Sequence, residues 1–228
     1  MSLKLYRRRN GFEASLNNTY CDDHGNVFYT VNTPMKPITK RVTTISKPFD
    51  ITTGIDENAA LVLPVSLRRS AGSDQEERDT DSPSTSLSRR GSDASRNGPA
   101  FIYIAQIEYN TKTSSKIRFS TDQHTKEVEA KTFFRKERKS VWVPRDRIFT
   151  GEDGKEYRWH PTTKLTELTS NDDPRTPIAT YYRDTALTKV ENGYLEIFPE
   201  GQHMADEIFV TFIYVERLRT NTERAQRE

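Results

Sequence analysis

The sequence predicts a mainly β domain of the sandwich or barrel type, interrupted by one long polar insert. Short runs rich in β-branched and aromatic residues recur at intervals of roughly ten residues, with turn-forming residues between them. No long amphipathic helical pattern accompanies these runs. Apolar residues make up only 33% of the chain, but the deficit lies mostly in the insert, so the remainder can bury a core.

The candidate strands of the first half lie on both sides of the insert. Residues 26–31 follow the turn sequence of residues 22–25, and residues 41–46 are rich in β-branched side chains. Residues 58–65 precede the insert, and residues 101–107 follow it. Neither side is long enough to fold well alone, and closing a long loop costs little extra entropy. We therefore expect both sides to form one domain.

The insert spans residues 66–99 and is dominated by serine, arginine and acidic side chains. Leu67 and Leu87 are its only bulky apolar residues, so it cannot bury enough apolar surface to offset the entropy of ordering. We expect a long disordered loop. An Arg-Arg-Gly-Ser sequence ending at Ser92 has the spacing that basophilic kinases prefer, which makes Ser92 a candidate phosphosite. A chance match in a segment rich in serine and arginine is the equal alternative.

The candidate strands of the second half follow at similar spacing. The clearest turn signal is Asp153-Gly154, a pair typical of tight hairpins, between residues 147–149 and residues 156–159. The other candidates, in chain order, are residues 116–120, 132–135, 140–143, 163–168, 178–182 and 194–198.

The apolar run at residues 208–215 allows two interpretations. Its β-branched and aromatic residues are typical of a central strand. Its flanks are typical of a helix, with Asp206 and Glu207 before the run and Arg217 and Arg219 after it. Such a helix would be apolar on every face and therefore buried all round. Periodicity alone does not decide between strand and helix.

Residues that carry chemistry are scattered along the chain. The four histidines lie far apart without the spacing of a zinc-protease motif, and no nucleotide-binding glycine motif or nucleophile elbow occurs. The aspartate pairs at residues 22–23 and 172–173 are typical of turns and lack the ligand ladder of a calcium loop. The sequence therefore predicts no enzyme, no cofactor and no metal site.

The cysteine and the apolar runs indicate the compartment. Cys21 is the only cysteine, which excludes an internal disulfide and a cysteine-based zinc site and suits a reducing compartment. No apolar run follows the basic N-terminus, as a secretory signal would require. The longest apolar run is far shorter than the about 20 residues of a membrane span. We expect an intracellular, cytoplasmic protein without a transmembrane segment, and a net charge of +2 gives no case for nucleic-acid binding.

Basic and aromatic residues interleave in residues 126–147, where eight basic and four acidic residues leave a local excess of positive charge. Such a patch can bind the phosphates of a lipid headgroup or a nucleic acid. The interspersed acids favour the alternative, a solvated strand face with a charged turn. The candidate phosphate- or lipid-binding residues are Lys131, Arg135, Lys136, Arg138, Lys139 and Arg145.

The second half of the chain resembles an uncharacterised fungal family of domains. The residues that carry the resemblance are Arg147-Ile-Phe, Asp153-Gly-Lys-Glu-Tyr-Arg-Trp, Leu165 with Leu168, Ile178-Ala-Thr-Tyr-Tyr-Arg, Tyr194-Leu-Glu-Ile and His203-Met-Ala-Asp-Glu-Ile-Phe-Val-Thr-Phe-Ile-Tyr-Val-Glu-Arg-Leu-Arg. The first half fits more loosely, through residues 25–31 and 101–108. The resemblance covers residues 12–65 and 100–220 and excludes the insert.

That family is similar to the tubby C-terminal and plant LURP-one-related folds, which are closed antiparallel β-barrels around a central, mostly apolar C-terminal helix. The resemblance implies this fold here and favours a helix that starts at Asp206, with residues 217–219 leaving the barrel mouth. The domain boundaries that we expect are a flexible basic N-terminus (1–11), one barrel domain (12–65 and 100–220), the disordered insert (66–99) and a flexible C-terminus (221–228).

The resemblance also implies a function. Tubby domains bind phosphoinositides through basic surface residues, so we expect a non-enzymatic binding module for anionic phospholipid headgroups. The alternative is a protein-interaction or regulatory scaffold that is switched by phosphorylation of the insert at Ser92. The expected partners are membrane phosphoinositides or another protein, and no nucleic acid. An enzyme is the least favoured class because the sequence contains no catalytic constellation.

Overall fold

Thirteen strands and two helices form the fold of the described residues. The computed structural model describes residues 1–8, 17–34, 40–49, 100–110, 113–120, 125–137, 146–162, 164–184 and 193–226. The strands are β1 Leu3–Arg7, β2 Asn18–Cys21, β3 Val27–Asn32, β4 Lys40–Phe49, β5 Ala100–Asn110, β6 Lys116–Ser120, β7 Thr125–Glu129, β8 Arg135–Glu137, β9 Asp146–Thr150, β10 Glu156–Pro161, β11 Leu165–Ser170, β12 Pro177–Tyr182 and β13 Tyr194–Ile197. The helices are the short α1 Ala130–Phe133 and the long α2 Ala205–Ala225, which a 3₁₀ turn at Pro199–Met204 precedes.

All thirteen strands belong to one antiparallel sheet with the order β7-β6-β5-β4-β3-β2-β1-β13-β12-β11-β10-β9-β8. Two meanders, β1–β7 and β8–β13, meet in the middle of this order, where Leu5 of β1 lies opposite Leu195 of β13. The edge strands β7 and β8 follow one another in the chain and are separated only by α1 and Phe134. The sheet therefore curls until its two edges lie close together, and we call the gap between β7 and β8 the seam.

The sheet is open at the seam. Within the described residues, β7 pairs with β6 and β8 pairs with β9, but β7 and β8 do not pair with each other. The Ala130 amide instead donates to the Ser115 carbonyl oxygen at 2.8 Å. Phe133 packs between Phe119 of β6 and Phe149 of β9, with 5.6 Å between ring centroids on each side. Aromatic packing thus joins the two edges, and the predicted closure into a barrel is not established by the sheet.

The long helix α2 is enclosed by the curled sheet. Every residue from 207 to 217 is buried. Tyr29 of β3 stacks on Phe209 at 4.0 Å between ring centroids, and Trp159 of β10 donates a hydrogen bond from Nε1 to Thr211 Oγ1 at 3.1 Å. Because β3 and β10 belong to different meanders, the helix packs against both halves of the sheet.

The helical interpretation of residues 208–215 is confirmed, and the strand interpretation is wrong. A helix that is enclosed on every side needs apolar residues on every face, which removes the amphipathic pattern that usually identifies a helix. Its valines, isoleucines and phenylalanines are poor helix formers in isolation, but tertiary packing overrides such preferences.

The N-terminus differs from the prediction of a flexible segment at residues 1–11. Leu3–Arg7 forms β1, which lies between β2 and β13 inside the sheet. Leu5 is fully buried. The alternation of leucine with Lys4 and Tyr6 is a strand pattern, and the arginine run that follows obscures it.

The segment that joins β7 to β8 also differs from the prediction, which placed a strand at residues 132–135. The structure has the single helical turn α1, and β8 begins only at Arg135. Phe133 and Phe134 both pack on Phe149, with centroid distances of 5.6 and 5.9 Å. Consecutive residues of an extended strand point to opposite faces, so only a turn lets both rings reach one neighbour.

The other candidate strands of the described residues coincide with β3–β6 and β9–β13. β4 and β5 are neighbours in the sheet although residues 50–99 separate them in the chain. One compact unit comprises Met1–Pro48 and Phe101–Glu228, and of the second unit, Phe49–Ala100, only the two end residues are described. The insert at residues 66–99 and the candidate strands at residues 58–65 and 140–143 lie outside the described residues.

The C-terminal end of α2 extends beyond the predicted domain boundary. The helix reaches Ala225 and so includes most of residues 221–228, for which a flexible terminus was expected. Within the part of the chain that the structure describes, no helix is both long and apolar enough to cross a membrane.

Candidate anion-binding cleft

Strand alternation divides the basic residues around the seam between two faces of the sheet. In the register of β8 with β9, Arg135 lies opposite Ile148 and Lys136 lies opposite Arg147. Arg147 in turn lies opposite Trp159, the side chain that hydrogen-bonds to α2. Paired residues share a face and consecutive residues alternate. Lys136 and Arg147 therefore share the helix-facing side of the sheet, and Arg135 belongs to the outer side.

The outer face holds its basic residues in ion pairs. Arg135 donates two hydrogen bonds to the Glu156 carboxylate, at 2.9 and 3.1 Å. These bonds hold the pKa of the Glu156 carboxyl below its ordinary value. A bidentate arginine–carboxylate pair satisfies both partners geometrically. Arg135 is therefore already occupied by a partner from its own chain.

A second network on the outer face surrounds Arg158, which is only 6% exposed. Its guanidinium donates to Asp146 Oδ2 at 3.0 Å, to Asn171 Oδ1 at 3.0 Å and to Glu137 Oε2 at 2.7 Å. His160 Nδ1 lies 2.6 Å from Asp146 Oδ1. The buried carboxylate of Asp146 thus has two partners, which is the condition under which a buried charge is tolerated.

The helix-facing side opens into a cleft of about 240 Å³ beside the seam. We call it the seam cleft. Its lining comes from the β5–β6 connection, α1, β8, β9 and α2. The lining residues are Thr113, Ser114, Ser115, Ala130, Lys131, Lys136, Arg147 and Tyr214.

Three cations line the seam cleft. The Lys136 side chain is exposed and has no hydrogen-bond or ion-pair partner among the described residues. Lys131 pairs with Glu129 at 2.9 Å, but both side chains are exposed, 65% and 45%, so the pair contributes little. The Arg147 guanidinium donates to the Asp146 carbonyl oxygen at 3.4 Å. The lining of the cleft is therefore positive, and Lys136 is available to a ligand.

Hydroxyl residues of the β5–β6 connection also line the seam cleft. The Lys131 amide donates to Ser114 Oγ at 3.3 Å, and the Ser114 hydroxyl donates to the Ser115 carbonyl oxygen at 3.2 Å. The Ala130 amide also donates to that carbonyl oxygen. These bonds hold the β5–β6 connection against α1. They place the Ser114 hydroxyl directly beside the Lys131 backbone.

Tyr214 of the central helix also lines the seam cleft. It is 8% exposed, and its ring stacks on Phe134 with 5.2 Å between centroids and 6° between planes. Burial raises the pKa of the Tyr214 phenol above its ordinary value, while Arg147 and a hydrogen bond with the Ser115 side chain oppose the rise. The phenol therefore stays protonated at neutral pH.

The chemistry of the lining suits an anion. Ammonium, guanidinium and hydroxyl groups are the donors that recognise phosphate oxygens. The described lining residues include no carboxylate and no imidazole. No group of three or more histidine, cysteine or acidic residues is placed to hold a metal ion within the described ranges.

The structure separates the candidate residues of the predicted patch. Lys131 and Lys136 meet in the seam cleft, whereas Arg135 lies on the outer face. Arg138, Lys139 and Arg145 lie outside the described residues, and so does Ser92.

Four lining residues were missed as site candidates: Thr113, Ser114, Ser115 and Tyr214. Arg147 was recognised in the basic segment but not as part of the site. Arg147 lies beside Lys136 because of the pairing of β8 with β9, and the sequence does not reveal which residues of two strands are paired. The serines lie in the connection between β5 and β6, which carries no recognisable motif.

Comparison with known proteins places the chain in a family without giving it an activity. The model of a family of unknown function, DUF6593, matches residues 14–221. No curated protein matches the chain, and no solved structure matches it. β1 lies before the matched region, which includes every lining residue of the seam cleft. Because the match covers far more than half of the 228 residues, the chain belongs to the DUF6593 family.

Proposed function

We propose that this protein is a non-enzymatic binding module for anionic phospholipid headgroups and that the seam cleft is its binding site. The observation that carries the proposal is the convergence of Lys131, Lys136 and Arg147 with three hydroxyl residues in one concave site. Cations and neutral donors that line one cleft can contact the same phosphate. A cytoplasmic location is part of the proposal, because the cytoplasmic leaflet carries the anionic lipids.

The size of the cleft favours a headgroup over a larger ligand. Pockets for drug-sized molecules and cofactors span about 300–1,000 Å³. The seam cleft has about 240 Å³. A phosphate with one attached small group fits this volume, and a dinucleotide does not.

The expected affinity is modest. A lysine or arginine near an anionic membrane surface contributes about 1 kcal/mol. Three such residues contribute about 3 kcal/mol, which is less than the about 4 kcal/mol of millimolar binding. Hydrogen bonds from the hydroxyl residues must add to the electrostatic attraction for useful affinity. Salt should weaken binding because Lys131 and Lys136 are exposed to solvent.

A closed barrel of the tubby or LURP-one-related type is the architecture that we propose around this site. The short α1 connection between the edge strands and the burial of α2 on every face support it. The seam would then be the line at which the barrel closes. The fungal origin of the family also stays a prediction, as does the alternative of a scaffold switched at Ser92.

Two neighbouring residues of β8 provide a matched test. Lys136→Gln and Arg135→Gln each remove one positive charge, but Lys136 faces the seam cleft and Arg135 pairs with Glu156 on the outer face. We expect the wild-type protein to co-sediment with phosphatidylcholine vesicles that carry phosphatidylinositol at low salt. Lys136→Gln should weaken this binding about fivefold, the equivalent of about 1 kcal/mol, while Arg135→Gln should leave it nearly unchanged.

Two results would contradict the proposal. One is equal binding of the wild-type protein to anionic vesicles and to pure phosphatidylcholine vesicles. The other is an equal loss of binding in both variants, because that would assign the attraction to overall charge and not to the cleft. Thermal unfolding of both variants provides the control for folding.

A further inference from the structure

The strand β8, which carries Lys136 into the seam cleft, is a short strand at the edge of the sheet. It has three residues, and within the described part of the chain it pairs only with β9. A shift of one residue in this pairing would turn Lys136 to the outer face. So short a strand makes few backbone hydrogen bonds that oppose such a shift, so its register depends on side-chain contacts as well.

Two neighbouring cross-strand pairs join β8 to β9 beside the cleft. Lys136 lies opposite Arg147, and the next pair is Glu137 opposite Asp146. Since consecutive residues of a strand alternate between faces, the two cations share the helix-facing side and the two carboxylates share the outer face. Each carboxylate is therefore the chain neighbour of one cation of the cleft.

The buried guanidinium of Arg158 on β10 contacts both of these carboxylates. Its Nη1 lies 2.7 Å from Glu137 Oε2 and donates to Asp146 Oδ2 at 3.0 Å, and its Nε donates to Asn171 Oδ1 at 3.0 Å. The side chains of Arg158 and Asp146 are 7% and 3% exposed. Asp146 and Asn171 thus fix the guanidinium, and Glu137 ties β8 to a group that cannot follow it into solvent.

A second ion pair between β8 and β10 lacks such a buried partner. The side chains of Arg135 and Glu156 are 55% and 39% exposed. Ion pairs between exposed side chains contribute little. Arg135 and Glu137 both project from the outer face of β8, but only Glu137 has a partner that is buried and held by other groups.

We infer that Glu137 and Arg158 are positioning residues of the seam cleft, which hold β8 in the register that places Lys136 beside Arg147. Neither residue lines the cleft. The inference rests on the proposed function, since it names the contacts that keep that site assembled. It makes the affinity of the cleft for an anion depend on an ion pair on the opposite face of the sheet.

Glu137 is the residue to change, because its side chain is 43% exposed. Removal of Arg158 would instead leave the buried Asp146 carboxylate without its arginine partner and destabilise the fold. If charge alone matters, loss of an acid near an anion site strengthens binding. We expect the opposite for Glu137→Ala. Its binding to phosphatidylcholine vesicles that carry phosphatidylinositol should weaken by up to about fivefold at low salt, the loss expected for Lys136→Gln.

Two control variants separate position from charge. Glu137→Gln removes the same charge but keeps an oxygen that accepts a hydrogen bond from Arg158, so it should bind at least as tightly as the wild-type protein. Glu167→Ala removes an acid from the outer face of β11, where Glu167 lies opposite His160, and should not weaken binding. Weaker binding by Glu137→Gln equal to that of Glu137→Ala overturns the inference.

A double variant shows whether Glu137 acts through Lys136. Glu137→Ala should have little further effect on Lys136→Gln protein, because the contribution of one cation is lost only once. Equal weakening in the wild-type and Lys136→Gln backgrounds overturns the inference, since it is the result of a general loss of stability.

NMR measures the register without any ligand. Cross-strand nuclear Overhauser effects between the backbones of Lys136 and Arg147 should weaken in Glu137→Ala and persist in Glu137→Gln. Unchanged effects in Glu137→Ala, or vesicle binding as tight as that of the wild-type protein, overturn the positioning role and leave the proposed function standing. Failure of the wild-type protein to bind anionic vesicles overturns both.

Discussion

Glu207, at the start of the buried helix α2, gives the sharpest prediction about stability. Glu207 is 7% exposed, and burial raises the pKa of its carboxyl from 4.5 to about 7. The Glu152 amide donates to its Oε2 at 3.0 Å, and Lys126 also favours the charged form, but neither offsets burial. The folded protein therefore holds this carboxyl protonated at pH values at which the unfolded chain releases the proton.

The sign of the pH dependence follows from this difference. The pKa of Glu207 is higher in the folded protein than in the unfolded chain. The stability that its protonated carboxyl contributes is therefore fully present below about pH 4.5 and is lost as the pH rises through about 7. The difference between the two pKa values corresponds to about 3 kcal/mol. Glu207→Gln keeps an oxygen that accepts the Glu152 hydrogen bond and never ionises. It should be more stable than the wild-type protein at about pH 8, by up to about 3 kcal/mol, and similar to it near pH 4.5.

Urea unfolding followed by tryptophan fluorescence at about pH 5 and about pH 8 measures the effect, and the wild-type and variant curves are compared at each pH. Glu200→Gln removes the same charge from an exposed residue and should change the free energy of unfolding by less than about 0.5 kcal/mol. A variant that is destabilised at both pH values, or a difference that does not grow with pH, would refute the assignment of Glu207 as a buried protonated group.

Three further variants test other parts of the fold. Leu5→Ala should lower the free energy of unfolding by about 2–5 kcal/mol because Leu5 is buried on an internal strand, whereas Lys4→Ala should have a small effect. Equally small effects of both variants would contradict the burial of Leu5 in the core. Arg219→Ala should lower the free energy of unfolding by about 3–5 kcal/mol, because it leaves the buried Glu216 carboxylate without its Arg219 partner. An unchanged melting temperature in calorimetry would contradict the burial of this pair. Trp159→Phe should cost about 1–3 kcal/mol through the lost hydrogen bond to Thr211 and the smaller ring, and a neutral effect in urea unfolding would contradict their contact.

The alternation of apolar and polar residues predicted most of the strands, because each of these strands buries one face. β13, for example, alternates half-buried and buried residues from Tyr194 to Ile197. Turn residues at the ends of such runs fix their approximate bounds, as Asp153-Gly154 does between β9 and β10. Alternation and turn chemistry are local properties, so a single sequence reveals them.

The central helix could not be derived from periodicity, for a physical reason. Periodicity detects the boundary between a buried and an exposed face, and residues 207–217 have no exposed face. β1 was missed for the opposite reason. Its two leucines alternate with polar residues over only five positions, and the arginines after it indicate a solvated terminus.

The candidate site was predicted in part, because basic residues are visible in a sequence and strand register is not. Lys131 and Lys136 were identified from local charge. The pairing of Lys136 with Arg147 depends on the β8–β9 register, and the placement of Ser115 depends on the curl of the whole sheet. Long-range geometry of this kind follows only from the folded structure.

An NMR titration tests the central claim, that the seam cleft is the anion-binding site, most directly. Isotope-labelled full-length protein would be titrated with inositol 1-phosphate, and the amide shifts mapped onto the sequence. We expect the largest amide chemical-shift changes among the described residues at residues 113–115, Lys131, Lys136 and Arg147. Shifts confined to the outer face around Arg135 and Glu156, or no saturable shift at all, would contradict it.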